Sequence, residues 1–596
     1  MIRYWLEKKY VQYSSVFLLL VLTGYYLKFH FDFGYKFDWS VIFSVNQTYG
    51  EHFGLSLLNG LKLTFKISVI SSVIALCLGT FFGLGRLSAF KPLKWLSTVY
   101  VEFFRNTPLL IQLFFWYFAF PMGLPENART FLFDHNFEFW CATIGLSVYT
   151  GSFMAEIVRA GLQSIPKGLL EAAYSSGLSY LQVLRKIILP IAFRNIIPPL
   201  GSEFLNNMKN SSLAMVVGVA ELTWQSQQVE SLTFKGFEAT TAATVLYLLL
   251  SFAISLILNI VNSRLRIDGS KRNLYSKIGD LIFTPFAIII KYAKRPYHIY
   301  IYRERSGFSS GNYSHFQVIM KKTFSFCTKG FVLSLKILFT AMLFFIFFKF
   351  LKGIMGFDFS VIKDNLRYLL IWRFPNGSEN ELFMGLGGLS YSILMAVIAI
   401  GVSFFIGLAA GIARTSDNLI FRLPALAYIE IIRGNPLIIV IFWVYFFIPV
   451  VTDAFFDVFW SATIALTIFT GAYLAEIVRA GIENLPKGQF EAAYSTGLSY
   501  FQTMRMIILP QALKQMIPAI VGQFIAIFKD TSLAYVIGVL ELTFVAQGLN
   551  NRLMVHPFEI YTTVAVLYFT CCYLMSLYAR KLERKLTPEG ETSLVM

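Results

Sequence analysis

Charge is scarce in this chain. Only 14% of its 596 residues are Asp, Glu, Lys or Arg, and 56% are hydrophobic. A typical soluble domain carries about 25% charged residues, so the composition excludes a free-standing water-soluble protein. The dipeptide Gly-Lys does not occur, which excludes a Gly-x-x-x-x-Gly-Lys-Ser/Thr phosphate loop and with it a nucleotide cradle of that kind. The five cysteines, Cys77, Cys141, Cys327, Cys571 and Cys572, lie in or beside apolar runs without ligand-type spacing. They read as small buried side chains, not as a disulfide frame or metal site. The six histidines are scattered, with no metal spacing and no nucleophile-plus-base constellation. The longest polar segments between apolar runs, near 32–54 and 352–384, are too short for a ligand-binding domain of their own.

What the chain has in quantity is long apolar runs, such as "ISVISSVIALCLGTFFGLG" from Ile67 and "VLSLKILFTAMLFFIFFKFL" from Val332. A bilayer core takes roughly 20 apolar residues of helix to cross. These runs are continuously apolar where barrel strands would alternate, so they predict helices. The net charge of +17 would suggest nucleic acid in a soluble protein. Here the basic residues flank the apolar runs, and no nucleic acid is expected. Between Arg264 and Lys322 stand twelve Lys or Arg against three acids. The N-terminus (Arg3, Lys8, Lys9) and the C-terminus (Arg580, Lys581, Arg584, Lys585) are basic too, which places all three in the cytoplasm. No small-residue cleavage site follows "VFLLLVLTGYYLKF", which reads as a retained anchor helix.

The chain is an internal duplication. Over Tyr149–Pro190 and Phe469–Pro510, 27 of 42 positions are identical. Glu491 follows Glu171 by 320 residues (491 − 171), and upstream Ile429 follows Val101 by 328 (429 − 101), so the first copy carries eight extra residues in between. About six spans per copy are expected: near 14–31, 55–86, 93–120, 138–163, 187–218 and 238–263, then near 329–351, 385–414, 422–449, 456–482, 507–538 and 558–579. The predicted fold is an all-α membrane protein of about 12 transmembrane helices. It divides into a first domain over 1–265 (core about 55–263), a basic linker over 266–328 and a second domain over 329–596 (extra helix 329–351, core about 385–580). The 119–138 loop, with Glu126, Asp134 and Glu138, is expected outside.

Each copy contains a charged island in the oil, "PKGLLEAAYSSGLSYLQVLRKIILP" from Pro166 and "PKGQFEAAYSTGLSYFQTMRMIILP" from Pro486. Pro166 suits a first helical turn and Gly177 a helix end. Ser179 with Gln182, and Ser499 with Gln502, match a capping box that starts a second helix. Two short helices at an angle, ending where Pro190 enters the bilayer, would offer apolar and small residues to a partner's groove. An ordinary helical loop shaped by capping rules is the alternative for either copy alone. Retention of the spacing in both argues for two equivalent docking events.

Glu171, Ala172, Ala173, Gly177, Ile187, Leu189 and Pro190, and again Glu491, Ala492, Ala493, Gly497, Ile507, Leu509 and Pro510, resemble the EAA motif of ABC importer permeases. The segments "AEIVRAG", "RNTPLL"/"RGNPLI" and "SLAxVxGVxELT" are similar to the polar amino acid branch, the histidine/glutamate/glutamine type. The likeness covers nearly all of both copies except the first helix of each and the linker. It implies two tandem type I importer-like permease repeats, with EAA loops docking on two copies of a cytoplasmic ABC ATPase. That partner, and not this chain, would bind ATP and Mg. It further implies an extracytoplasmic amino-acid-binding protein, a polar amino acid substrate, and a prokaryotic inner membrane with both termini cytoplasmic. The chain itself would be no enzyme.

Ionisable groups inside spans mark functional sites. The candidates for the substrate path are Lys209, Asn210 and Ser212 with Lys529, Asp530 and Ser532, at matching places in the two copies. A zwitterionic amino acid needs a cation for its carboxylate and an acceptor for its ammonium, and Asp530 can be that acceptor. Alternatively Lys529 and Asp530 neutralise one another or stand at the outer interface. Glu156 with Arg159, Glu476 with Arg479, Glu102 with Arg105 and Glu430 with Arg433 read as local structural pairs. The competing functions are an ion-driven secondary transporter with duplicated halves, and a receptor or scaffold without transport.

Overall fold

A computed structural model describes residues 52–265, 385–452 and 456–586, together with 35–45, 356–371 and scattered positions near 18–25 and 333–349. The expected linker over 266–328, most of the span expected near 14–31 and part of that near 329–351 lie outside the described residues. The chain divides into two compact units. One holds Met1–Ser88, Lys94–Ser255 and Ser360–Met596, and so the bulk of both repeats; the other holds Ala89–Leu93 and Leu256–Phe359. Within the second, the ring of Phe90 lies 6.0 Å from that of Phe339.

The first repeat runs through α1 (Phe53–Leu87), α2 (Lys91–Arg105), α3 (Leu109–Phe114), α4 (Phe137–Gln163), α5 (Lys167–Ser175), α6 (Leu189–Asn210), α7 (Leu222–Thr233) and α8 (Gly236–Leu265). The second repeats this order as α9 (Gly388–Thr415), α10 (Leu419–Gly434), α11 (Leu437–Thr452), α12 (Val458–Glu483), α13 (Lys487–Ser495), α14 (Leu509–Asp530), α15 (Leu542–Leu553) and α16 (Pro557–Leu586). Among the described residues seven helices are long and apolar enough to cross a membrane, and eight if the bent pair α10 and α11 is one span.

The expected spans at 93–120 and 422–449 are not single helices. In the second, α10 and α11 meet at 113°. Pro108 and Pro436 cause both breaks: proline lacks an N–H and disfavours helix in the residue before it. Asn435 is accordingly extended, at φ −104° and ψ 156°. The spans expected at 187–218 and 507–538 begin earlier, at Tyr180 and Tyr500, and pass through a π turn before α6 and α14. That turn lets the Leu189 N–H reach the Leu184 carbonyl, and Leu509 that of Met504, just ahead of Pro190 and Pro510. The loop expected over 119–138 contains a helix, Glu126–Asp134, within the stretch where the first copy is longer. Helices α7 and α15 had no counterpart in the sequence reading. Each is capped by a fully buried carboxylate: Glu221 accepts from Thr223 N at 2.9 Å and Tyr247 Oη at 2.7 Å, and Glu541 from Thr543 N at 2.8 Å and Tyr568 Oη at 3.1 Å.

In each repeat the first long helix packs on the fourth through glycines four apart. A Cβ at Gly83 would stand 2.7 Å from the Ala155 carbonyl oxygen, and one at Gly411 would stand 2.7 Å from that of Ala475. Gly79 and Gly407 meet Met154 and Leu474 as closely. Lipid offers helices no hydrophobic reason to associate, so close backbone approach supplies the attraction. The repeats also interlock. Phe114 of α3 lies 5.4 Å from Tyr561 of α16, and Phe237 of α8 lies 6.2 Å from Trp443 of α11.

The four described cysteines are unpaired, and Cys141 and Cys572 are buried as expected. Cys77 is exposed, because its side of α1 points away from α4. Cys327 lies outside the described residues.

Replacing Gly411 by Leu should cost about 2 kcal/mol or more, because backbone on the facing helix cannot yield. Heating the purified chain in detergent and following its monodisperse fraction reads this out. Gly401→Leu on the same helix, where a Cβ meets nothing within 4 Å, should melt like the parent.

Candidate functional site

The islands form one local structure twice. Helix α5 ends at Ser175, and the Gly177 N–H bonds to the Tyr174 carbonyl at 2.9 Å while Leu178 N–H reaches back to Ala173 at 3.2 Å. Gly497 and Leu498 make the same pair of bonds to Tyr494 and Ala493, at 3.0 and 3.2 Å. This closing motif needs a left-handed residue, and Gly177 and Gly497 supply it at φ +78° and +82°. Both capping boxes are formed, with Ser179 N donating to Gln182 Oε1 at 2.8 Å and Ser499 N to Gln502 Oε1 at 2.9 Å.

The motif residues divide in two. Glu171, Ala172, Glu491 and Ala492 are exposed, whereas Ala173 and Ala493 are turned inward at 6% and 2% exposure. Ile187 and Ile507 sit in the π turns, half-buried, and Leu189, Pro190, Leu509 and Pro510 open the helices that follow. Around the exposed face stand bare apolar side chains: Tyr180, Leu181 and Leu169 in the first copy, Tyr500, Phe501 and Met506 in the second. Phe501 is 70% exposed, which an isolated loop does not require.

Above each island lies an ion-pair network. Glu156 accepts from Arg159 Nε at 3.1 Å, as the local reading expects, and also from Arg86 at 2.6 Å. Glu476 likewise pairs with Arg479 at 2.6 Å and with Arg433 at 3.7 Å. The two other local pairs are corrected. Glu102 meets Arg86 at 3.7 Å and Glu430 meets Arg414 at 3.0 Å, not Arg105 and Arg433. The Arg105 guanidinium instead lies 5.2 Å over the Phe153 ring. Residues three apart can face each other on a helix, but arginines ending the neighbouring helix reach the same carboxylates.

All six substrate-path candidates line one cavity of about 210 Å³, framed by both repeats. Lys209, Asn210 and Ser212 enter from α6 and its 3-10 continuation Ser211–Val217; Lys529, Asp530 and Ser532 enter from α14 and Thr531–Ile537. The lysines cross over. Lys209 Nζ donates to the Arg433 carbonyl at 2.5 Å, and Lys529 Nζ donates to the Arg105 carbonyl at 2.9 Å. Both carbonyls end helices broken by the prolines, where unpaired carbonyls and the negative end of the helix dipole attract a cation. Lys529 therefore has a partner other than Asp530.

Sequence reasoning missed Glu203, Gln523 and Asn435, which line the same cavity. Glu203 was accessible to the rule that found Lys209, being an ionisable residue within an expected span. Asn435 was not, since only the fold brings the turn between α10 and α11 to the cavity. Among the described residues no group of three His, Cys, Asp or Glu side chains is placed to hold a metal.

A duplicated helical membrane protein with a charged cavity at the junction of its repeats is the class that fold and site define. The chain belongs to the family described as "binding-protein-dependent transport system inner membrane component", which matches residues 75–267 and 403–588. It is thus a multi-pass inner membrane protein made of two such permease domains in tandem. Among its relatives, the probable glutamine ABC transporter permease protein GlnM of Bacillus subtilis is 41% identical over 209 residues, 35% of this chain and 92% of that protein. The glutamate/aspartate import permease protein GltJ of Escherichia coli is 35% identical over 216 residues, 36% of this chain and 88% of that protein. The crystal structure of an amino acid ABC transporter with histidines is similar at 30% identity and a TM-score of 0.32, over 37% of this chain and 99% of that one.

Lys529→Met should leave the Arg105 carbonyl without its donor and cost about 1–3 kcal/mol. Lys209→Met should do the same at Arg433. Because both lysines line one cavity and tie the same two halves, the melting shift of the double variant should depart from the sum of the two single shifts.

Proposed function

We propose that this chain supplies the whole translocation path of an ATP-driven importer for polar amino acids. The observation that carries the reading is the identical construction of the two islands: same cap, same left-handed glycine, same exposed apolar and small-residue face, one per repeat. Two equal sockets suit two copies of an ABC ATPase, which would bind ATP and Mg while this chain performs no catalysis. Glu171, Ala172, Glu491 and Ala492 would meet the partner directly. Ala173, Gly177, Ile187, Leu189 and Pro190, with their counterparts Ala493, Gly497, Ile507, Leu509 and Pro510, would transmit its movement into α6 and α14. The islands and both termini would face the cytoplasm, and the basic linker would join the domains 1–265 and 329–596 on that side. An extracytoplasmic amino-acid-binding protein would deliver cargo from the opposite side.

The relatives named for glutamine and for glutamate/aspartate support a polar amino acid as cargo. The cavity offers Asp530 for the substrate ammonium, and Lys209 or Lys529 for its carboxylate, since each ammonium has donors beyond the one held by a carbonyl. Asn210, Ser212 and Ser532 would complete the path. Transport would proceed by alternating access. A second cavity of about 440 Å³, lined by Met215, Val216, Tyr535 and Val536, lies further along the same two 3-10 segments. Fully buried Ala214 and Ala534 stand in sequence between the residues lining the two cavities, as a closed gate would.

In vesicles holding the chain and a candidate ATPase, Gly177→Val with Gly497→Val should cut ATP-dependent uptake at least tenfold, an order-of-magnitude expectation from forcing β-branched residues into the left-handed region. Uptake that survives the double change, or that needs no ATPase, would replace this reading with an ion-driven secondary transporter.

A further inference from the structure

The two broken helices differ in how their ends are satisfied. At an offset of 328, Thr107 stands against Asn435 (435 − 107) and Gln112 against Val440 (440 − 112). In the first repeat the turn is closed from within: the Thr107 hydroxyl donates to the Phe103 carbonyl at 3.1 Å and accepts from Gln112 Nε2 at 2.7 Å. Gln112 Oε1 has no partner among the described residues, but Gln112 is not on the cavity wall. In the second repeat Val440 has no polar group to offer. Asn435 lines the cavity at 2% exposure; its Nδ2 donates to the Ile431 carbonyl at 2.9 Å, and its Oδ1 has no hydrogen-bond partner among the described residues. A carbonyl can only accept, so the amide must turn its nitrogen towards Ile431 and its oxygen away.

A buried acceptor left unpaired is costly, and a donor brought in by cargo would relieve it. Arg433, two residues away, directs its guanidinium over the Tyr473 ring at 5.2 Å and towards Glu476 at 3.7 Å, and its buried Nε is unpaired too. Arg105 lies over Phe153 in the same way, again with an unpaired Nε. With Lys209 and Lys529, cations for more than one carboxylate stand around the cavity, so the number of carboxylates is not what Asn435 reads. Its place points to the α-ammonium. Lys209 Nζ is anchored on the Arg433 carbonyl at 2.5 Å, and Asn435 follows Arg433 by two residues, at most about 7 Å of extended chain. A donor and an acceptor this close match an α-amino acid, whose carboxylate and ammonium share one carbon. An ammonium has three N–H donors, so it can use Asn435 Oδ1 and Asp530 together.

We infer that Asn435 Oδ1 accepts an N–H of the cargo's α-ammonium while Lys209 holds its α-carboxylate, which seats the α-carbon end of the amino acid at the break of the second repeat whatever its side chain. The inference rests on the proposed function of the same cavity. The first repeat has no matching seat. Lys529 is anchored on the Arg105 carbonyl, but the Thr107 hydroxyl beside that break is already occupied by Phe103 and Gln112. Two halves of nearly equal backbone thus hold the cargo in one orientation.

The test is equilibrium dialysis on the full chain in lipid nanodiscs, with no binding protein or ATPase present, using radiolabelled glutamine, glutamate and the deamino analogue of glutamine, which lacks the ammonium. The parent chain should bind both amino acids about tenfold or more tightly than the deamino analogue. Asn435→Leu should weaken both amino acids about tenfold, to the same extent, and leave the deamino analogue unchanged. Asn435→Thr with Val440→Gln, which installs the closed arrangement of the first repeat, should show the same loss while melting like the parent; a residue that only held the turn together would leave binding unmoved. Amino-acid binding unchanged in a folded variant means that water serves Oδ1 and overturns the inference. A loss confined to glutamine overturns it too, since Oδ1 would then read the side-chain amide. A deamino analogue that binds the parent chain as tightly as glutamine overturns it whatever the variants do, even if they fail to fold. Absence of any binding at millimolar amino acid, with ATP-dependent uptake intact in vesicles, overturns it while leaving the proposed function standing. Absence of uptake with every ATPase tried removes the proposed function itself.

Discussion

A helix that breaks inside hydrocarbon exposes carbonyls that have no water to receive them, and each must find a donor within the protein. This chain breaks a helix at Pro108 and again at Pro436, and the carbonyls of Arg105 and Arg433 are met by Lys529 and Lys209. Part of each break is satisfied within its own repeat, as where Gln112 Nε2 donates to the Phe104 carbonyl and Asn435 Nδ2 to that of Ile431. The carbonyls of Arg105 and Arg433 take their donors from the other half, so these two are satisfied only when the halves are together. The cavity is a consequence, because the broken ends and the lysines that meet them converge at the junction. Other contacts reinforce the exchange: Ser251 Oγ donates to the Gly434 carbonyl at 2.7 Å, and Phe114 packs on Tyr561.

The duplicated chain compares two solutions to one structural problem. Where backbone meets backbone the copies agree, as at Gly79 and Gly83 against Gly407 and Gly411, because any side chain would collide. The capping boxes and closing glycines of the islands agree for a similar reason: only a residue free to take a positive φ closes that turn without strain. The copies part company in the cavity, at Glu203 against Gln523 and Asn210 against Asp530. There a side chain faces a cavity, not a packed neighbour. The framework is close to symmetric while the lining is not.

The islands and most long helices were legible because they depend on local rules. Capping, helix length and the start of α4 and α12 all follow from residues within a few positions of one another. The broken helices were not legible as breaks. Their apolar content passes for a continuous span, and a proline within a span is often tolerated when neighbouring groups satisfy the freed backbone. The π turns before Pro190 and Pro510 carry no compositional mark. Ion pairs failed in an instructive way: Glu102 was assigned to Arg105 by spacing, yet Arg86, the last arginine of α1, stands closer in space.

The sequence alone established a duplicated all-helical membrane protein, the two islands with their turn chemistry, and the lysine and aspartate positions that interrupt the apolar helices. Those conclusions rest on hydropathy, repeat spacing and short-range backbone preferences, all of which are written along the chain. Only the tertiary structure decided that Lys209 and Lys529 cross to the opposite repeat, that Asn435 and Glu203 join them, and that Glu156 and Glu476 anchor networks of several arginines. Such partners lie up to 424 positions apart. Their meeting depends on which helix faces glycine closely enough to pack, a three-dimensional fit that no local pattern encodes.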